Sequence, residues 1–348
     1  VQPMGVSYNS YLILDEKIAV MDSVDARAAD EWLAKLAHEL DGRSPDYLVI
    51  SHMEPDHSGS ILRLAERYPE MQLVGNAKTF AMLRQFFGAK APTDDRLLEV
   101  GEGETLPLGA HTLHFMLAPM VHWPEVMVAY EETEKLLFSA DAFGRFGALS
   151  RTAAAPWAPQ ARRYYYNIVG KYGAQVQALL KKAAALEIET ICPLHGPVLT
   201  GEALGEALRL YDLWSRWQSE SPDDILLAHA SIHGNTARAA ELFKQKLEAK
   251  GARATLCDLT TTEVSYAVAN AFYCGKLVLA CSTYDGGLFP PMEEFLSHLQ
   301  AKGFRDRSVG LMENGSWAPA AARLMRARLE EMKDLRVCGT VVSLRSAL

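Results

Sequence analysis

The sequence predicts two domains of different class. Residues 1–220 read as an α+β domain with much antiparallel pairing, and residues 224–348 as an α/β domain built on a doubly wound, five-stranded parallel sheet. Three observations predict this. The chain has 348 residues, too many for one ordinary hydrophobic core. Residues 219–224, SESPDD, are short, polar and proline-bearing, as a domain boundary tends to be. Before that stretch hairpins and crossovers are mixed; after it strands and helices alternate regularly.

The first hairpin is YLILDEKIAVMD, two strands around the turn Asp15-Glu16-Lys17, and VMVAYEETEKLLFSAD repeats the pattern around residues 131–135. Between them Trp32, Leu33, Leu36 and Leu40 make one helical stripe and Phe80, Leu83, Phe86 and Phe87 another. Past the boundary the strands ILLAHAS, ARATLCDL, KLVLACS, RSVGLMEN and LRVCGTVVS are separated by helical stretches over 236–250, 263–270, 290–302 and 318–332. Right-handed crossovers join such strands, and such sheets bind ligands outside the strand carboxyl ends.

Composition excludes several functions. Hydrophobic residues are 49% and charged residues 22%, as in a folded soluble protein, and no apolar run approaches the roughly 18 residues of a membrane span. Lys and Arg number 35 against 43 Asp and Glu, a formal charge of -8, and no basic stretch is interleaved with aromatics; nucleic acid is not the expected partner. The start, VQPMGVSYNSYLIL, shows no charged region followed by an apolar one, so no secretory signal is expected. Cys192, Cys257, Cys274, Cys281 and Cys338 form no CxxC pair; they read as reduced core residues of a cytoplasmic protein rather than a disulfide, zinc or iron-sulfur framework. The glycosylation pattern at Asn314-Gly315-Ser316 is then irrelevant.

The chemistry gathers first at residues 51–60, SHMEPDHSGS, directly after the apolar stretch DYLVI. His52, Glu54, Asp56 and His57 on one loop would repel one another and be costly to desolvate unless cations sit among them. Taken alone, such a loop can equally be solvated. Three further segments argue against that reading: His122 follows LHFMLAPMV, Asp141 ends LLFSA and His195 follows ETICPL. Each is a polar residue just past an apolar strand, where loops at sheet ends gather ligands. Four imidazoles and three carboxylates exceed the needs of one ion and suit two, with a shared carboxylate holding them a few ångströms apart.

This pattern resembles the metallo-β-lactamase superfamily, whose usual HxHxDH is here HxExDH, with Glu54 in place of the second histidine. A hard carboxylate oxygen there tilts the site from zinc toward iron, and HxExDH resembles the form found in flavodiiron proteins. The resemblance implies an αββα sandwich in which His52, Glu54 and His122 bind one iron, Asp56, His57 and His195 the other, and Asp141 bridges.

The second domain holds three loops rich in Gly, Ser, Thr and aromatics at one sheet edge. Ser231, Ile232, His233, Gly234, Asn235 and Thr236 join the first strand to the first helix, where backbone N–H groups, hydroxyls and the helix dipole would meet a phosphate; an ordinary helix cap uses the same residues. Ser282, Thr283, Tyr284, Asp285, Gly286 and Gly287 end the third strand, and Asn314, Gly315, Ser316 and Trp317 the fourth. The arrangement resembles flavodoxin, which implies FMN with its phosphate in the first loop and its ring between the other two. His233 stands where that family commonly has an aromatic, and Pro319 where it is glycine-rich.

The two resemblances in this order are those of a flavodiiron protein. They imply an FMN and diiron oxidoreductase that reduces dioxygen to water or nitric oxide to nitrous oxide, drawing electrons from a donor such as rubredoxin or a reduced deazaflavin. They also imply a head-to-tail homodimer, or a tetramer of such dimers. The stretch from Asp141 to Tyr164 is shorter and less acidic than is usual there. Tyr164, Tyr165 and Tyr166 are candidates to reach the metal pocket, although aromatics at that spacing are more often core. Two rival readings are a dinuclear hydrolase, in which metal-bound hydroxide is the nucleophile, and an FMN electron carrier with a vestigial metal site.

Overall fold

The computed structural model describes residues 4–152 and 154–347. The chain divides into two compact units, Val1–Tyr165 with Ala174–Asp212, and Tyr166–Gly173 with Leu213–Leu348.

In the first unit the short apolar runs pair into two sheets. One contains β1 (Tyr11–Ile13), β2 (Ala19–Met21), β3 (Tyr47–Val49), β4 (Gln72–Gly75) and β5 (Leu97–Glu99) in sequence order. β1 and β2 form the expected antiparallel hairpin, and β2 to β5 run parallel. The other contains β6 (Thr105–Pro107), β7 (Thr112–Leu117), β8 (Met127–Glu131), β9 (Leu136–Phe138), β10 (Thr190–Cys192) and β11 (Leu199–Thr200) in the order β11-β10-β9-β8-β7-β6. Its hairpin β8–β9 is antiparallel, while β9 and β10 pair in parallel.

Residue alternation decides which face each strand shows. Ala19, Met21, Val49 and Val74 enter a core shared with Phe115, Met127, Ala129 and Phe138 of the second sheet. Their neighbours Val20, Leu48 and Leu73 face a second core with Leu33, Leu36, Leu40, Ile61, Leu64, Phe80 and Leu83, contributed by helices Ala29–Leu40, Ile61–Arg67 and Ala77–Phe87. This is one helical layer and both sheet layers of an αββα sandwich. One stripe differs from expectation at a single position: Phe86 is 47% exposed, while Phe80 and Leu83 are buried and Phe87 packs partly against the same core.

The second unit is a parallel sheet of β12 (Ser221–Ala230), β13 (Ala254–Asp258), β14 (Cys274–Tyr284), β16 (Ser308–Asn314) and β17 (Arg336–Leu344), in the order β13-β12-β14-β16-β17. The order reverses beside β12, which is the switch point of a doubly wound sheet. A short β15 (Gly287–Leu288) folds back on the end of β14, so the expected loop after the third strand is a hairpin. Residues 221–224, at the expected domain boundary, open β12, with a register shift between Ser221 and Ile225. Cys192, Cys257, Cys274 and Cys281 are buried and form no disulfide, whereas Cys338 is exposed on β17. Among the described residues no helix is long and apolar enough to cross a membrane.

Candidate metal centre and flavin loops

Four loops of the first unit converge. His52, Glu54, Asp56 and His57 follow β3, His122 follows β7, Asp141 follows β9 and His195 follows β10. The donor atoms form two groups, His52, Glu54, His122 and Asp141, and Asp56, His57 and His195, each within 4.8 Å of one another. All seven residues named from the sequence are therefore brought together.

Asp141 lies between the groups. Its Oδ2 is 3.1 Å from His122 Nε2 and 3.7 Å from His52 Nε2, and its Oδ1 is 3.1 Å from His57 Nε2 and 3.6 Å from His195 Nε2. Glu54 completes one group at 3.1 Å from His122 and 3.3 Å from His52. Asp56 completes the other at 3.3 Å from His195 and 3.5 Å from His57. Neighbouring donors bound to one ion at about 2.1 Å stand about 3 Å apart, so these spacings fit cation-sized gaps.

The outer contacts of the rings give the same answer. His195 Nδ1 donates to the Ser7 carbonyl at 2.8 Å, and His52 Nδ1 meets Glu125 Oε1 at 2.8 Å. In the neutral ring each Nε2 then presents a lone pair inward, the arrangement that metal-bound histidines use. Inward lone pairs facing carboxylates repel. Accordingly, Asp141 Oδ1 makes no hydrogen bond among the described residues although His57 Nε2 lies 3.1 Å away; the buried Asp56 Oδ1 makes none either, its other oxygen being the one that faces the imidazoles. A cation in each gap resolves both conflicts, so the residues fit a dinuclear centre.

Charge in the metal-free cluster is distributed accordingly. Burial opposes protonation of His52, yet its hydrogen bonds to Glu125 and Glu54 push it up to about 10. His122 and His195 are also raised against burial, chiefly by Asp141 and its carboxylate neighbours. Burial would raise Glu54 and Asp141, but the imidazoles bring Glu54 down to about 2 and hold Asp141 well below the usual range. Protons thus stand where cations would. Of the side chains concerned, Glu54 at 36% and Asp56 at 27% exposure mark the open side; His52, His57 and Asp141 are closed off.

Several supporting residues escaped the sequence reading. Glu125 also takes Met53 N–H at 2.9 Å, and the buried Asp22 takes Ser51 N–H at 2.7 Å, so both fix the loop after β3. Of the three consecutive tyrosines Tyr164 lies against the cluster, its ring 5.6 Å from that of His195 and its phenol within the influence of the Asp141 charge. Burial and the Asp141 charge hold that phenol protonated. Tyr165 packs on Tyr211, and Tyr166 stacks on Phe272 at 3.9 Å.

In the second unit the three predicted loops meet at the carboxyl edge of the sheet. A cavity of about 130 Å³ is lined by Ser231, Ile232, His233, Asn235 and Thr236, by Ser282 and Thr283, and by Asn314, Gly315 and Ser316, with Ser346 added from beyond β17. Gly234 has φ +85°, and its N–H meets Ser231 Oγ at 3.1 Å. This left-handed turn exposes the backbone that opens helix Asn235–Glu248. Thr236 and Ser282 join across the cavity by hydroxyls 2.8 Å apart. Gly234, Tyr284, Asp285, Gly286, Gly287 and Trp317 stand outside the lining. Tyr284 is 49% and Trp317 86% exposed, unusual for large aromatics unless a flat ligand or partner covers them. Asn314 is buried, with its side chain tied to Ser346, so its glycosylation pattern is structural.

Residues 6–196 match the model of the ODP family beta lactamase. The chain is 28% identical to the nitric oxide reductase of Moorella thermoacetica, over 94% of this chain and 83% of that protein. Among solved structures it resembles the rubredoxin oxygen:oxidoreductase of Desulfovibrio gigas (TM-score 0.91, 26% identity, covering all of this chain and 87% of that one). It also resembles the flavodiiron protein of Giardia intestinalis (TM-score 0.90, 25% identity, covering all of this chain and 86% of that one). It spans as little as 45% of the length of other relatives. The chain therefore belongs to the ODP family beta lactamase and, along its whole length, is a homologue of flavodiiron proteins.

Proposed function

We propose that this protein is a flavodiiron reductase that uses FMN and a non-haem diiron centre to reduce dioxygen to water, nitric oxide to nitrous oxide, or both. The observation that carries the reading is Asp141, one buried carboxylate shared between two donor groups that mix nitrogen and oxygen, in a chain that also has a phosphate-sized loop at a sheet switch point. The names of the Moorella and Desulfovibrio homologues agree with it.

His52, Glu54 and His122 would hold one iron, Asp56, His57 and His195 the other, and Asp141 would bridge; Ser231 to Thr236 would hold the FMN phosphate. When bound, the flavin supplies electron pairs that it can pass singly, and paired ferrous ions supply a place for a small diatomic to be reduced. The chain's own part is positional. Glu125 and the Ser7 carbonyl orient two imidazoles, the exposed flank at Glu54 and Asp56 leaves room for a gas, and Tyr164 holds a proton at its hydroxyl beside Asp141. Because the metal cluster and the flavin loops belong to separate units of the chain, the proposal includes a head-to-tail homodimer as the means of electron delivery. It also includes rubredoxin or a reduced deazaflavin as donor, and the reducing cytoplasm that suits four buried cysteines outside any disulfide.

Purified protein should contain two irons and one FMN per chain. Reduced anaerobically, it should reoxidise its flavin on exposure to nitric oxide or dioxygen, with nitrous oxide or water as product. Zinc without flavin would instead support a hydrolase, and flavin without metal a carrier.

A further inference from the structure

His52 and His195 are oriented by different means. His52 Nδ1 meets a buried carboxylate, whereas His195 Nδ1 donates to a main-chain carbonyl, that of Ser7. The aim of His195 therefore depends on two backbone stretches staying in register, residues 193–196 of its own loop and residues 7–11 near the start of the chain. The loop reverses immediately after the histidine, at Gly196 with φ +88°.

What ties the stretches together is largely one residue. Asn9 donates its backbone N–H to the Leu194 carbonyl at 2.8 Å, and its side-chain amide donates to the carbonyls of Pro193 and Gly196, both at 2.8 Å. Its carbonyl partners thus bracket His195, and a side-chain NH₂ has the two donors that this needs. Tyr11 adds a hydroxyl bond to the Pro193 carbonyl at 2.7 Å, and Ser7 Oγ accepts Gly196 N–H at 2.7 Å. The loop after β3 has separate anchors in Glu125 and Asp22.

We propose that Asn9 is the positioning residue for His195, and that it sets the metal affinity of the Asp56–His57–His195 half of the cluster while leaving the His52–Glu54–His122 half unchanged. This rests on the two-ion reading above.

The test is titration of metal-free protein with cobalt(II), following d–d absorbance and bound metal per chain. Wild type takes two equivalents. In Asn9→Ala one equivalent weakens by about tenfold to hundredfold, the usual range for a residue that orients a ligand, and the other changes by less than about threefold. Asn9→Asp keeps the shape but removes the donors, so it binds no better than Asn9→Ala. In an Asp56→Ala background, which retains one equivalent, Asn9→Ala has no further effect. If Asn9→Ala does not fold, Tyr11→Phe and Ser7→Ala carry the test, each weakening the same equivalent to a smaller degree. Equal weakening of both equivalents, or wild-type behaviour of Asn9→Asp, overturns the proposal. Uptake of fewer than two equivalents by wild type overturns the two-ion reading itself.

Discussion

Protons and cations compete for the same lone pairs of His52, His122 and His195, and that competition has a sign. His52 in the metal-free fold titrates at about 10, above the roughly 6.5 of an unfolded chain. The stabilisation from its charged contacts is therefore fully present below about 6.5 and is lost as pH rises through about 10. The melting temperature of metal-free protein should accordingly fall between pH 7 and 10, and that of metal-loaded protein should not. Metal uptake at pH 7 should release protons, seen as a dependence of the calorimetric heat on buffer ionisation enthalpy; equal heats in all buffers would refute it. Glu125→Gln leaves a ring contact without its charge and should weaken metal binding about tenfold or more in a chelator competition. The seven donors were readable because each stands just past an apolar strand. Glu125 and Asn9 were not, since they lie 73 residues from His52 and about 185 from the His195 loop, separations that only the fold closes. Tyr164 was visible among three tyrosines, but which one faces the metals depends on helix rotation.

Strands and helices were read well wherever one face is buried, as in the β1–β2 and β8–β9 hairpins and strands β12, β14 and β16 of the parallel sheet. Residues 219–224 read as a domain boundary because proline and paired aspartates disfavour a strand interior; in the structure 221–224 open β12, where the register shift between Ser221 and Ile225 absorbs them. Gly275 on the adjacent strand makes room: a Cβ there would lie 2.1 Å from the Pro222 carbonyl oxygen, a contact that side-chain motion cannot relieve. Gly275→Ala should therefore destabilise the second unit by about 1–3 kcal/mol, the usual cost of forced backbone displacement in a packed element. This should show as a lower melting temperature of the flavin fluorescence transition. An unchanged transition would mean that the bulge is soft.

For the molecule as a whole, the proposal requires that the flavin of one chain serve the metals of another, and two complementary lesions test this directly. Asp141→Ala removes the carboxylate shared by both donor groups and should cost metal while leaving FMN bound. Thr236→Ala with Ser282→Ala removes the hydroxyl pair that joins two of the cavity-lining loops. With both hydroxyls lost as partners for the FMN phosphate, at about 1 kcal/mol each, it should weaken FMN tenfold or more while leaving two metals per chain. Each variant alone should reduce nitric oxide poorly, for opposite reasons. Co-expressed as a mixture without added FMN, they should recover roughly a quarter of wild-type activity if the dimer is head-to-tail. Half of randomly assorted two-fold dimers are then mixed, and each mixed dimer pairs one intact flavin with one intact metal site. If electrons pass only within a chain, mixing restores nothing, because every chain still lacks one of its two centres.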